Sequence, residues 1–183
     1  QFLYIRFMEK VQPKTSYSNR PSQIINLEKG KLPPQAVDLE EVVLGAMMID
    51  KKGVDEVIDI LSVDAFYKDA HQHIFDAINV LFHESQPMDL LTVSAQLKKA
   101  KALELAGGEF YLISLTQKVS SSAHIEFHAR IILQKFIQRS LIKISTEIIE
   151  DSYDESTDVF DLLDTAESKL YDVTQGNLKR SSE

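Results

Sequence analysis

The sequence of 183 residues contains no cysteine, and only 6 glycines and 5 prolines. The absence of cysteine excludes disulfides, thiol nucleophiles, and zinc or iron–sulfur sites held by thiolates. So few glycines and prolines are unusual for a β protein rich in turns, and the composition therefore favours helices. Apolar residues make up 44% and charged residues 26% of the chain, which is typical of a globular protein with a core of its own.

Long apolar segments are also missing. No run of about 18 apolar residues occurs, so we expect no membrane-spanning helix and no membrane partner. The apolar first residues are few and follow no basic stretch, so we expect no signal peptide. Because export signals and cysteine are both absent, we expect a cytoplasmic protein.

Basic residues are scarce outside the N-terminal part of the chain. The net charge is −8, from 20 basic and 28 acidic residues. Residues 1–35 contain six basic and two acidic residues, which leaves a charge of −12 for residues 36–183. A surface that binds nucleic acid needs clustered lysines and arginines, so we expect no strong DNA binding.

Motifs for catalysis are not found. The sequence has no G-x-x-x-x-G-K-[ST], G-x-G-x-x-G, G-x-S-x-G or H-E-x-x-H pattern. We therefore predict no enzymatic activity, no catalytic residue and no cofactor or metal for these residues. His124 and His128 are four residues apart on a helix, but two ligands do not make a metal site. The pair Glu40-Glu41 occupies polar positions, and we expect it to be solvated or to face a partner.

Apolar residues recur at helical spacing along most of the chain, and no segment alternates as a strand would. We predict an all-α fold, in which a compact helical globule over residues 32–119 precedes a long antiparallel helical hairpin over 120–175. Residues 1–31 are rich in proline and polar side chains, and we expect a tail that is disordered or was added during cloning. Within the globule, Asp89 or Thr92 is expected to cap a helix.

The hairpin should consist of one helix of about 30 residues and a shorter final helix. Ser121 or Ser122 can cap the first helix, which could be interrupted near Arg139-Ser140. Thr157 can cap the final helix, and Gly176-Asn177 can end it.

The hairpin carries more large apolar residues than one internal seam can bury. Such residues lie all round both helices and need a second partner. The globule shows no comparable excess in its sequence pattern. We therefore predict that the hairpin is the self-association surface, through Ile137, Leu141, Ile142, Ile148, Ile149, Phe160, Leu163 and Leu170.

Several motifs resemble those of one protein family. Residues 32–50 resemble the start of the N-terminal domain of bacterial replicative DNA helicases of the DnaB type, where the pattern is P-P-x-x-x-x-A-E-x-x-V-L-G-x-x-[ML]. Family motifs such as H-x-x-I-F-x-A-I, P-x-D-x-x-T-[LV] and G-G-x-x-Y-L follow in the same order at 71–78, 87–93 and 107–112. The resemblance covers about residues 32–175. Departures are Glu40, where the family has Ala more often, and His124, which replaces Asn.

The resemblance implies a non-catalytic N-terminal domain of a hexameric, ATP-driven helicase at the bacterial replication fork. In that family a RecA-like motor domain follows through a linker, which residues 176–183 would begin. ATP and Mg²⁺ would be bound by that absent motor domain. The family's hairpins pair, the pairs assemble as a trimer of dimers, and the resulting collar docks primase. A helicase loader is a further partner that the resemblance allows.

Other classes of protein fit less well. A free-standing α-helical adaptor, such as a primase helicase-binding domain, has a similar fold but a different order of motifs. A helical enzyme should show convergent polar residues, and the sequence offers no candidates. A DNA-binding module is opposed by the charge of −12 on residues 36–183.

Overall fold

The computed structural model describes residues 31–119 and 124–178. Within these ranges the chain is all-α, as predicted, and no β-strand occurs. The proposed tail at 1–30, the candidate caps Ser121 and Ser122, and residues 179–183 lie outside the described residues. The α-helices are α1 (Val37–Met47), α2 (Lys51–Val57), α3 (Asp69–His83), α4 (Leu90–Lys99), α5 (Gly108–Gln117), α6 (Ile125–Tyr153) and α7 (Val159–Leu178), with a 3₁₀ turn at Val63–Ala65.

Helix α1 lies at the centre of the globule, where it packs against α2, α3, α5 and α6. Its side chains Val43, Leu44 and Met47 are fully buried. The rings of Phe66 and Phe75 meet in the same core, with centroids 4.8 Å apart. Burial of this apolar surface is the main force that holds the short helices of the globule together, since helices of this length are marginal in isolation.

Helix α6 belongs both to the globule and to the hairpin. Ile125, Ala129, Ile132 and Leu133 recur at helical spacing near its start, and all four are buried in the core of the globule. The helix then continues without the interruption predicted near residues 139–140. No glycine or proline occurs between its ends, so nothing in the backbone stops a helix of 29 residues, about 43 Å long.

Helix α7 packs along the second half of α6 after the loop 154–158. Asp158, and not Thr157 as predicted, caps the start of α7. Its carboxylate accepts hydrogen bonds from the amides of Phe160 (2.8 Å) and Asp161 (3.4 Å). The helix runs through Gly176 and Asn177 to Leu178, past the predicted end. A glycine ends a helix where it adopts a left-handed conformation, and here it keeps the helical one. No described helix is long and apolar enough to cross a membrane.

The turns of the globule follow local sequence rules. Asp89 caps α4, and its Oδ1 accepts hydrogen bonds from the amides of Leu91 and Thr92, both at 2.9 Å. The Thr92 hydroxyl oxygen in turn accepts a hydrogen bond from the Asp89 amide, so both of the predicted cap residues take part in the cap. Gly107 precedes α5 at a φ of +93°, a conformation that favours glycine.

Gly45 allows α1 and α5 to approach each other closely. A Cβ atom at this position would overlap the backbone carbonyl of Leu115 and lie 2.8 Å from Cγ2 of Val119. Since the obstacle includes backbone, the two helices would have to separate to make room.

We predict that Gly45→Ala lowers the free energy of unfolding by about 1–3 kcal/mol, because the added methyl group forces α1 away from α5. Gly53→Ala is the control, since its Cβ would meet the flexible end of Ile125 at 3.1 Å and the Ala46 carbonyl at 3.2 Å. Urea denaturation, monitored by circular dichroism, measures the free energy of unfolding of both variants. Equal losses in the two variants would contradict this account of the α1–α5 contact.

Candidate interaction surface and buried polar network

Glu40 and Glu41 are buried, which corrects the prediction that the pair is solvated or faces a partner. Their side chains are held inside the globule, and the residues are only 1% and 7% exposed. The Glu40 carboxylate accepts a hydrogen bond from the Tyr67 amide at 2.8 Å and lies 2.6 Å from Nδ1 of His71. The position of the pair on α1 places both carboxylates against other helices, which the sequence pattern alone does not show.

The network extends from α1 to α3 and α5. Nε2 of His71 lies 2.7 Å from the Tyr111 hydroxyl, which is 3.2 Å from Oε1 of Glu41. Burial and the neighbouring charge of Glu41 raise the pKa of Tyr111 far above its ordinary value, so the hydroxyl keeps its proton. Lys68 and Lys118 complete the network through ion pairs with Glu41.

The environment of Glu41 favours its charged form. Burial raises its pKa, but hydrogen bonds from Lys118 and Tyr111 and the charges of Lys118 and Lys68 outweigh that effect, so the pKa lies below its ordinary value. The carboxylates of Glu40 and Glu41 both accept hydrogen bonds within the network. We infer that it joins three helices of the globule and has a structural role.

The hairpin exposes most of the residues that the sequence assigned to self-association. Phe160 is 72% exposed and Leu163 61%, while Leu141, Ile142 and Leu170 are about two-fifths exposed. Ile148 and Ile149 are half-buried. We call the exposed apolar residues of the two helices the hairpin surface: Leu141, Ile142, Phe160, Leu163 and Leu170. The exposed Tyr153, Val159 and Tyr171 lie on the same two helices.

Ile137 differs from the other candidates, because it packs against the core of the globule. Part of its apolar side chain is therefore already covered within the chain. Whether the remaining part contacts a second copy stays a prediction.

Charge is segregated along the hairpin. Residues 127–146 contain four basic and no acidic residues, whereas 147–168 contain nine acidic and no basic residues. Lys169 on α7 binds Glu147 at 2.9 Å and lies 3.9 Å from Asp151. The base of the hairpin is therefore positive and its tip strongly negative, a pattern that affects how two hairpins can pair.

The globule exposes more apolar surface than the sequence pattern predicts. Phe110 is 89% exposed, Leu91 78% and Leu105 63%. They are large apolar side chains without a covering layer in the described part of the chain.

His124 and His128 have no third metal-ligating residue grouped with them in the part of the chain that the structure describes. No group of three histidine, aspartate or glutamate residues suited to a metal occurs among the described residues. His124 precedes α6 and is exposed. His128 lies one turn later and its ring nitrogen Nδ1 is buried.

Comparison with known proteins gives a consistent set of relatives. Residues 32–134 match the protein family described as "DnaB-like helicase N terminal domain". A replicative DNA helicase DnaB from Rhodothermus marinus is 40% identical to this chain over 158 residues. The matched region is 86% of this chain but 17% of that protein, so the chain spans about a sixth of the relative's length.

Solved structures share the fold. The N-terminal domain of DnaB helicase from Mycobacterium tuberculosis matches with a TM-score of 0.73 and 33% identity, over 78% of this chain and 99% of that one. A second match, with a TM-score of 0.62 and 24% identity, covers 74% of this chain and 31% of that one. It is described as "The Structure Of A DnaB-Like Replicative Helicase And Its Interactions With Primase".

We predict that Glu40→Ala lowers the free energy of unfolding by about 3–5 kcal/mol, because it leaves His71 and the Tyr67 amide without their buried partner. Glu126→Ala is the control, since Glu126 also binds a basic side chain, Arg130, but at an exposed position. That change should cost about 0–1 kcal/mol. Urea unfolding at neutral pH measures the free energy of unfolding of both variants. If Glu40→Ala lowers it no more than Glu126→Ala does, the structural role of the network is refuted.

Proposed function

The chain belongs to the family of DnaB-like helicase N-terminal domains, and we propose that it is the self-association and primase-docking domain of a replicative DNA helicase. The helicase would act in the cytoplasm, at the bacterial replication fork. The domain itself is non-catalytic in this proposal, and the ATP and Mg²⁺ of the helicase bind to a motor domain outside these residues. The observation that carries the self-association is the hairpin surface.

The hairpin surface has the chemistry of a protein interface. Each large apolar side chain that becomes fully buried contributes about 1.5–3 kcal/mol, so several of them can offset the entropy lost when two copies associate. Phe160 and Leu163 are the most exposed members, and both lie in the first two turns of α7. A second copy of the hairpin offers a matching apolar surface, as a twofold interface requires.

The charge pattern selects an antiparallel pair. Two parallel hairpins would bring together the two acidic tips, each with nine acidic residues in 147–168. An antiparallel pair instead places each tip beside the other copy's basic segment, 127–146. Opposite charges then attract across the interface, and such attraction weakens as salt is added.

The primase-docking part rests on the family. A structure described as a DnaB-like replicative helicase and its interactions with primase shares this fold, and that likeness supports the proposal of primase docking. The dimer, and the trimer of dimers that the family resemblance implies, would multiply any docking surface around a ring. A helicase loader is a further partner in this proposal.

We predict that the wild-type chain forms a dimer or larger species as its concentration rises, and that Leu163→Asp is a monomer with an unchanged helical signal. The reason is that an exposed leucine in the interface becomes a charge that pairing would bury. Leu91→Asp makes the same change at an exposed leucine of the globule and should leave the association intact. Sedimentation velocity and far-ultraviolet circular dichroism measure the three proteins.

Two results would overturn this proposal: a wild-type chain that remains monomeric at high concentration, or a Leu163→Asp variant that associates like the wild type. The salt dependence tests the antiparallel arrangement separately. Association that strengthens with added salt would indicate repelling tips, and thus a parallel pair.

We also predict saturable binding of this chain to the primase of the same organism. The chain lacks cysteine, so a single cysteine introduced at the exposed Ala95 can carry a fluorescent label. Fluorescence anisotropy should then rise with primase concentration, and an excess of unlabelled chain should reverse the rise. The absence of a rise at tens of micromolar primase, about the weak limit of a specific interface, would contradict the docking role.

A further inference from the structure

Arg139 lies at the point where α6 leaves the globule. Before it, Phe136 and Ile137 pack against the core, and the start of the helix is buried. After it, no residue of α6 is buried, and none packs against the core cluster. The direction of the hairpin relative to the globule is therefore set by what holds α6 near this residue.

The Arg139 guanidinium binds two backbone segments of the globule at once. Nη1 donates a hydrogen bond to the carbonyl of Pro34 at 2.8 Å, and Nη2 donates one to the carbonyl of Ala65 at 2.7 Å. The first carbonyl lies just before α1, and the second ends the 3₁₀ turn. The two segments are thus held to α6 by a single side chain.

Aromatic rings surround the same group. The guanidinium carbon lies 5.6 Å from the centre of the Tyr67 ring and 5.9 Å from that of Phe136. These distances allow cation–π attraction, and half-burial excludes part of the competing water. Burial lowers the pKa of Arg139, and the negative charge of Glu40 opposes that effect by favouring the charged guanidinium.

We propose that Arg139 fixes the direction of the hairpin relative to the globule. A planar guanidinium presents its donors in a rigid fork, so two carbonyls in separate segments determine both its position and its orientation. A lysine ammonium lacks this fork and cannot fix the same geometry. Without the fork, α6 keeps its apolar anchors up to Ile137 but gains freedom to swing at residues 137–141. This inference concerns one chain and does not depend on the proposed function.

Arg130 provides a contrast on the same helix. It also makes two short hydrogen bonds, from Nε at 2.9 Å and from Nη2 at 2.8 Å, but both go to Glu126 one turn away. This pair connects α6 only to itself. Loss of Arg130 therefore removes an arginine and its hydrogen bonds without releasing the hairpin from the globule.

Distance measurements between the globule and the hairpin test this role of Arg139. Cysteines introduced at the exposed positions Ala95 on α4 and Ser168 on α7 carry spin labels, and the chain has no native cysteine to interfere. Labelled protein is diluted with unlabelled protein, so that double electron–electron resonance reports distances within one chain. The wild type should give one narrow distribution, and Arg139→Gln a distribution about twofold broader or displaced.

Arg130→Gln is the matched control and should keep the wild-type distribution. If Arg139→Gln fails to fold, Arg139→Lys replaces it, because this change keeps the charge and the aliphatic stem but removes the fork. We expect the same broadening for the lysine variant, with an unchanged helical signal. A wild-type distribution in the folded Arg139 variants, or equal broadening in Arg130→Gln, would overturn the proposal.

Discussion

The structure depends on one unbroken helix, α6, which packs in the core of the globule at its start and against α7 further along. The first half of α6 supplies Ile125, Ala129, Ile132 and Leu133 to the core of the globule, and the second half leaves that core and pairs with α7. Because the helix contains no glycine or proline, the exposed half continues directly from the buried half, and Arg139 binds the globule at the point of exit. The globule is therefore the anchor of the hairpin, and the two parts form one compact unit from Pro33 onward.

Two polar clusters meet at the short segment between the 3₁₀ turn and α3. Glu40 accepts a hydrogen bond from the amide of Tyr67, and Arg139 donates a hydrogen bond to the carbonyl of Ala65. A buried carboxylate is costly unless it is hydrogen-bonded, and here the backbone and His71 satisfy it. The arrangement explains why polar groups are retained in a small apolar core, since they hold α1, α3 and α6 in a defined register.

The exposed surfaces differ in chemistry along the chain. The hairpin combines exposed Phe160 and Leu163 with an acidic tip and a basic base, and the globule also exposes large apolar residues, among them Phe110 and Leu91. Apolar contact has no preferred direction, so the area alone would allow several arrangements of two copies. In the proposed pair, segregated charge would favour one arrangement over the others, because it penalises those that bring like charges together.

The sequence by itself determined the helical fold and the family. Helical periodicity and caps such as Asp89 are local properties, and the motifs of the family are read residue by residue. The apolar excess of α6 and α7 was also visible, since a hairpin has only one inner seam. Local patterns also explain the errors at Thr157 and Gly176, where several adjacent residues can cap or end a helix and only the backbone conformation selects one.

Only the tertiary structure decided which polar residues are buried and which apolar residues remain exposed. Glu40 and Glu41 appear as an ordinary acidic pair in the sequence, and their burial depends on His71 and Tyr111, which are 31 and 70 residues further along the chain. Phe110 is a large apolar residue near the start of α5, yet its side chain is exposed. The role of Arg139 likewise depends on carbonyls 105 and 74 residues before it. Such contacts are set by the packing of whole helices against one another, which no local pattern specifies.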